Sequence, residues 1–137
     1  MPSLPASLVV LLPQYVSLIY GAESLEKIRT RTRLLTAPLA PVEMRARPEL
    51  LAEAEVLFSG WNSPVLDASL LALMPRLRAV FYAAGSVRYL ATDALWTRGI
   101  TLCSSYAING EAVAGYTVGA TLFALKQGFA HARAAQG

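Results

Sequence analysis

The sequence predicts an α/β doubly wound domain, a five-stranded parallel sheet in the order 2-1-3-4-5, followed by a long apolar helix. Five β-rich runs begin 26, 22, 23 and 22 residues apart. Most are continuously apolar rather than alternating, as strands covered on both faces are. The interval accommodates one crossover helix and two loops, the repeat unit of a parallel sheet. The 137 residues suit one domain, or one and a fraction, and the 55% apolar composition supports a buried core.

The first run is Leu8-Val9-Val10-Leu11-Leu12. After it, Tyr15, Leu18, Ile19, Ala22, Leu25 and Ile28 fall at helical spacing and make one apolar face. Leu34-Leu35-Thr36 is the second strand, and Pro48 suits the first turn of a short helix, Glu49 to Ala54. Val56-Leu57-Phe58-Ser59 is the third strand. Either Ser63-Pro64 or Asp67 opens the next helix, which runs through Leu70, Leu71 and Leu73 and stops before Pro75. Ala79-Val80-Phe81-Tyr82-Ala83 is the fourth strand. Thr92 suits the N-cap of a helix from Asp93 to Arg98, with Asp93 favoured by the helix dipole and Gly99 as the residue that ends it. Thr101-Leu102-Cys103-Ser104 is the fifth strand. A long helix is expected from about Glu111, and its run Ala112 to Leu125 is apolar all round, which calls for burial on more than one side. Gly115 and Gly119 sit four apart on one face of it. Packing within the domain and a subunit interface both explain that spacing, and the interface is favoured because the sheet has covering helices of its own.

Composition excludes several classes. One cysteine rules out an internal disulfide framework and suggests a reducing compartment. One cysteine and one histidine cannot build an ordinary tetrahedral metal site. The net charge is +3, and Arg29, Arg31 and Arg33 lack interleaved aromatic residues, so they read as a solvated helix end rather than a nucleic-acid surface. Residues 1–26 contain no Lys or Arg, which argues against a signal peptide, and no apolar run is long enough to span a membrane. A soluble, cytoplasmic protein is expected.

The residues alone show no catalytic constellation. No two glycines are spaced two apart, so the Gly-x-Gly-x-x-Gly dinucleotide fingerprint is absent, as is a P-loop. His131 has no evident orienting partner, Cys103 reads as a buried, inert thiol in a strand, and Asp67 and Asp93 read as helix-start residues. Position is more informative, because ligands of doubly wound sheets bind outside the carboxyl ends of the strands. The third end reads Ser59-Gly60-Trp61-Asn62 and the fourth Ala83-Ala84-Gly85-Ser86-Val87-Arg88. A glycine turn there can offer backbone N–H groups to a small anion, and Arg88 can add charge-assisted hydrogen bonds. On spacing alone, plain strand-to-helix turns with a solvated Arg88 account for both stretches better.

Three stretches, taken in order, resemble the D-isomer-specific 2-hydroxyacid dehydrogenases. They are Phe81-Tyr82-Ala83-Ala84-Gly85-Ser86-Val87-Arg88, Thr92-Asp93-Ala94-Leu95-Trp96-Thr97-Arg98-Gly99-Ile100 and Asn109-Gly110-Glu111-Ala112-Val113-Ala114-Gly115-Tyr116-Thr117. That family has an Ala-Gly turn after a strand, a helix closed by Arg-Gly-Ile, and an Asn leading into a Val-Ala-Glu-Tyr-Thr helix. Leu70 to Val80 is similar to its Leu-x-x-x-Pro-x-Leu-x-x-Val run. The match is good over Ala54 to Lys126 and compatible before that.

The resemblance implies a substrate-binding domain over residues 1–108 and, over 109–137, a helix that crosses to a second domain, with a tail. The family's NAD-binding domain, with its glycine-rich fingerprint and its catalytic Arg, Glu and His, would lie beyond Gly137, and His131 matches none of them. No catalytic residue is therefore expected in this sequence. The implied substrate-binding residues are Gly85, Ser86 and Val87, whose N–H groups would hold a carboxylate, with Arg88 beside them, Gly60 and Trp61 as the opposite wall, and Asn109 lining the cleft. Thr117 would face the nicotinamide side. Two positions depart from the family: its Gly-x-Gly-x-Asp turn is Gly85-Ser86-Val87-Arg88 here, and its Glu in Val-Ala-Glu is Gly115. The implied activity is hydride transfer between NAD or NADP and a small 2-oxo or 2-hydroxy acid, to which this chain would contribute substrate binding and no turnover alone. Two alternatives stand beside it: a flavodoxin-like binding module dimerising through Glu111 to Gln127, and one subunit of a split enzyme whose NAD-binding chain is separate.

Overall fold

The computed structural model describes residues 3–136 and divides into two compact units, Met1–Ser105 and Tyr106–Gly137. The first unit contains β1 (Ala6–Val10), α1 (Pro13–Ile19), α2 (Gly21–Arg31), β2 (Arg33–Leu34), a 3-10 helix (Pro41–Ala46), α3 (Pro48–Glu53), β3 (Val56–Ser59), α4 (Ala68–Ala72), β4 (Ala79–Tyr82), α5 (Asp93–Thr97) and β5 (Thr101–Ser104). The five strands form one parallel sheet in the order β2-β1-β3-β4-β5, as the strand spacing predicts.

Register decides which side chains share a face. Leu8 pairs with Leu57, Leu57 with Val80, and Val80 with Leu102, so these residues line one side of the sheet. The main core lies on that side, where Leu51, Leu70, Leu71, Met74, Leu90 and Leu95 from α3, α4, α5 and their connections are fully buried or nearly so. The opposite side carries Val9, Phe58, Phe81 and Cys103. Tyr20, between α1 and α2, meets Phe58 edge to face at 6.4 Å on this side. Phe81 is 41% exposed and Cys103 is exposed, against the expectation of a buried thiol. The strand is where the sequence places it, but this side of β5 leaves Cys103 exposed.

Local chemistry sets the helix ends. Asp67, not Ser63-Pro64, opens α4: its carboxylate accepts from the Leu70 amide at 2.7 Å. Thr92 occupies the N-cap position of α5, but its hydroxyl donates to the Leu66 carbonyl at 2.6 Å instead of capping. Gly99, at φ +65°, closes α5 in a Schellman turn, with Gly99 N–H bonded to Trp96 O at 2.9 Å and Ile100 N–H to Leu95 O at 3.4 Å. The single apolar face expected from Tyr15 to Ile28 is broken into two helices. Gly21 adopts φ +60° between them, and Leu18 ends 68% exposed. At the sheet edge, β2 is shorter than expected and begins at Arg33 rather than Leu34. A buried hydroxyl pair, Ser7 to Thr32 at 2.7 Å, anchors the segment just before it.

The second unit holds α6 (Tyr106–Leu125) and α7 (Gly128–Ala134). Helix α6 starts at Tyr106 rather than near Glu111. Helix α7, where the sequence predicts a tail, follows a left-handed Gln127 at φ +56°. Phe123 and Phe129 meet edge to face at 4.8 Å, and the Phe123 ring fills the space a Cβ at Gly128 would need. No residue of α6 is buried, contrary to the burial its apolar sequence calls for. Among the described residues no helix is long and apolar enough to cross a membrane.

Candidate functional site

β1, β3 and β4 are neighbours in register, with Val10 opposite Ser59 and Ser59 opposite Tyr82. Their carboxyl ends therefore deliver Leu11, Gly60 and Ala83 side by side to one edge of the sheet. This brings Gly60, Trp61, Gly85, Ser86, Val87 and Arg88 to a common edge from separate parts of the sequence.

The turn after β3 is built on close packing. A Cβ at Gly60 would come within 3.0 Å of both Ile19 Cδ1 and Leu11 Cδ1, so the absence of a side chain lets α1 seat against the strand end. The reversal itself is made one step later: Ser63 N–H donates to Gly60 O at 3.0 Å, and Asn62 takes the left-handed conformation at φ +63°. The sequence predicts a turn made through the glycine. An asparagine at this position was the available signal, since Asn tolerates φ > 0 better than most residues. Trp61 is thrown outward, 48% exposed, with its ring edge to face against Tyr15 of α1 at 5.4 Å and 89°.

The turn after β4 is held at both ends and open in the middle. Ala83 N–H donates to Ser59 O at 2.8 Å, and Leu90 and Ala91 donate to Val87 O at 3.1 and 3.0 Å. Leu66 N–H donates to Leu90 O at 2.9 Å, which ties the two turns together. Among the described residues the N–H groups of Gly85, Ser86 and Val87 have no acceptor, while the Arg88 amide reaches Ser86 Oγ at 3.5 Å. Arg88 is exposed and forms no ion pair among the described residues. Three consecutive amides without a protein acceptor precede the exposed Arg88, and N–H groups and a guanidinium of this kind are able to hydrogen-bond a carboxylate.

Hydroxyls underlie this edge. Tyr89 Oη and Tyr82 Oη are 3.2 Å apart, and the Tyr89 phenol is pushed above its ordinary range by burial and then by the Tyr82 hydroxyl. Tyr20 donates to Ser59 O at 2.8 Å, and burial raises its phenol above the usual value of 10.0. Ser59 Oγ and Ser63 Oγ are buried without a protein partner among the described residues.

Other features lie elsewhere. A hollow of about 710 Å³ flanks β2, but its two arginines are already engaged, Arg29 with Glu26 and Arg33 with Glu53. A groove of about 420 Å³ follows the bare side of β4 and β5, between Phe81, Cys103 and α2. Asn109 lies within the first turn of α6 rather than in a loop. Two turns further on, the Thr117 hydroxyl donates to Val113 O at 2.8 Å, so its proton is committed to its own helix. Both belong to the second unit. His131 is exposed on α7. Among the described residues no group of three or more His, Cys, Asp or Glu side chains is placed to hold a metal ion. The sequence has no glycine-rich strand-to-helix turn of the kind that holds a dinucleotide's pyrophosphate.

No model of a known protein family matches the sequence, and no curated protein does. Solved structures do match. D-lactate dehydrogenase from Aquifex aeolicus, solved with NAD and lactic acid, superposes with a TM-score of 0.57 at 20% identity, over 85% of this chain and 33% of that one. Pyruvate reductase of Chlamydomonas reinhardtii gives 0.57 at 15% identity, over 76% and 30%. A phosphoglycerate oxidoreductase from Rhizobium etli gives 0.64 at 21% identity, over 87% and 36%. This chain thus spans about a third of the length of each. What is common at these identities is the fold, and the chain folds like part of these oxidoreductases.

Proposed function

We propose that the first unit is the substrate-binding part of an NAD(P)-dependent oxidoreductase acting on the CH–OH group of 2-hydroxy acids. The observation that carries this reading is the set of free amides at Gly85, Ser86 and Val87, beside Arg88, at the carboxyl edge of the sheet. They would hold the acid's carboxylate while Gly60 and Trp61 wall the other side. The likeness to solved oxidoreductases supports the reading, since the one from Aquifex aeolicus was solved with lactic acid and NAD. In this reading the residues of the chain bind and orient the acid.

The test is a titration of the chain with D-lactate, run beside an assay of NADH consumption with a panel of 2-oxo acids. The acid is expected to bind, to bind about tenfold more weakly after Arg88→Ala, and to be accompanied by no NADH consumption. Clear consumption by this chain would place a cofactor site among residues assigned here to packing. No binding would remove the carboxylate site.

A second reading, a module that self-associates through Glu111 to Gln127, is favoured by one observation: Val113, Tyr116, Val118 and Leu122 of α6 are all more than half exposed. An apolar helix without a polar face is stable only against a partner surface. Light scattering tests it. A dimer that dissociates when Gly115 and Gly119 are replaced by Leu supports it, and a strict monomer removes it.

A further inference from the structure

Phe58, Phe81 and Cys103 stand in register across β3, β4 and β5 and line the groove of about 420 Å³. The two rings stack at 5.3 Å and 17°, and Phe81 and Cys103 are both exposed. This groove offers an occupant no charge to answer. Lys27 is the one charged group among the described residues that line it, and its ammonium is held by Glu23 at 2.6 Å. The Tyr20 hydroxyl, also in the lining, donates to Ser59 O at 2.8 Å. An uncharged, apolar occupant is what such a surface favours.

The same chain carries one. From Ala112 to Leu125, α6 has no charged residue. At about 100° per residue its large apolar side chains fall into two stripes on opposite faces. Val113, Tyr116 and Phe123 form one, and Phe129 of α7 already packs on Phe123 edge to face at 4.8 Å. Val118, Leu122 and Leu125 form the other, all more than half exposed. This second stripe is about 10 Å long, and the four-residue strands β4 and β5 run about 13 Å, so the two match in length. A two-fold axis that brings the stripe of one copy to the groove of another makes the reverse contact as well. The interface then closes at two chains and covers the stripe and the groove of each. Resting on the self-association reading above, we propose that the partner surface of α6 is this groove in a second copy. Val118, Leu122 and Leu125 of one chain lie against Phe81 and Cys103 of the other, and the contact is reciprocal.

Cys103 is the chain's only cysteine, so cross-linking reads the contact directly. Light scattering first establishes the dimer. The full chain is then mixed with a mass-tagged Cys103→Ser/Val118→Cys double variant and oxidised with copper phenanthroline, and the experiment is repeated with Leu125→Cys in place of Val118→Cys. The mixed disulfide is expected about fivefold or more above either homodisulfide, and above the mixed product of a Cys103→Ser/Glu49→Cys control at an exposed position of α3. Phe81→Glu and Leu122→Glu should each weaken the dimer about tenfold, since each puts a charge into an apolar contact. A dimer in which the double variants cross-link to themselves and the mixtures do not pairs α6 with α6; that overturns the groove contact and leaves self-association standing. An intrachain disulfide in a monomeric Val118→Cys single variant, or a dimer whose mixed disulfide stays at the control level, overturns the contact as well. A strict monomer overturns both the contact and self-association and leaves the carboxylate site untouched.

Discussion

Arg98 donates to three carbonyl oxygens, Leu71 at 2.5 Å, Met74 at 2.8 Å and Pro75 at 3.0 Å, and so closes the end of α4 from a different helix. That explains why an arginine precedes Gly99 and Ile100: the fork geometry satisfies several orphan carbonyls at once. Arg98→Ala should cost about 2 kcal/mol in urea unfolding, and Arg98→Lys should recover only part of it. Tyr20 makes a pH-dependent contribution. Its phenol is raised in the folded protein, so the folded state holds the proton more tightly than the unfolded chain. Its contribution is therefore complete below the unfolded value of about 10 and declines as pH rises beyond it. Tyr20→Phe should flatten the loss of stability above pH 10, which unfolding curves across that range will show. Neither role is legible in the sequence, because both depend on carbonyls more than twenty residues away. Asp67 was legible as a helix-start residue, since its partner, Leu70, is only three residues on.

At the scale of elements, strands are read best where they are continuously apolar. β3 and β5 have the boundaries the residues suggest, whereas β1 begins two residues earlier, at Ala6, because Ala6 and Ser7 are buried too. Helix ends are read where the deciding residue has a backbone requirement of its own. Gly99 is one such residue: an alanine there must adopt φ +65°, and Gly99→Ala should cost about 1 kcal/mol in the same unfolding assay. Gly21 was missed for the opposite reason. The apolar periodicity runs straight through it, and only its positive φ reveals that α1 and α2 are separate. Helix α6 shows the limit of composition, since its apolar run locates the helix but not its first turn, Tyr106 to Asn109, which precedes that run.

For the whole molecule, the consequential asymmetry is in the first unit's sheet, one side of which carries the main core while the other leaves Phe81 and Cys103 exposed. Phe81 stacks on Phe58 at 5.3 Å and 17°, yet remains 41% exposed beside Cys103. An apolar surface of this kind binds hydrophobic dyes and promotes association. Phe81→Glu should reduce dye binding and concentration-dependent light scattering, with under about 1 kcal/mol change in stability. The sequence by itself determined the number of strands and their parallel order. Those follow from the period and length of apolar runs, which are local properties of the chain. Only the tertiary structure decided which face of the sheet is covered, that Asn62 rather than Gly60 makes the third turn, and that Gly85, Ser86 and Val87 keep their amides free. Each of these depends on partners brought from distant segments, and a hydrogen bond that is not made leaves no mark in the sequence.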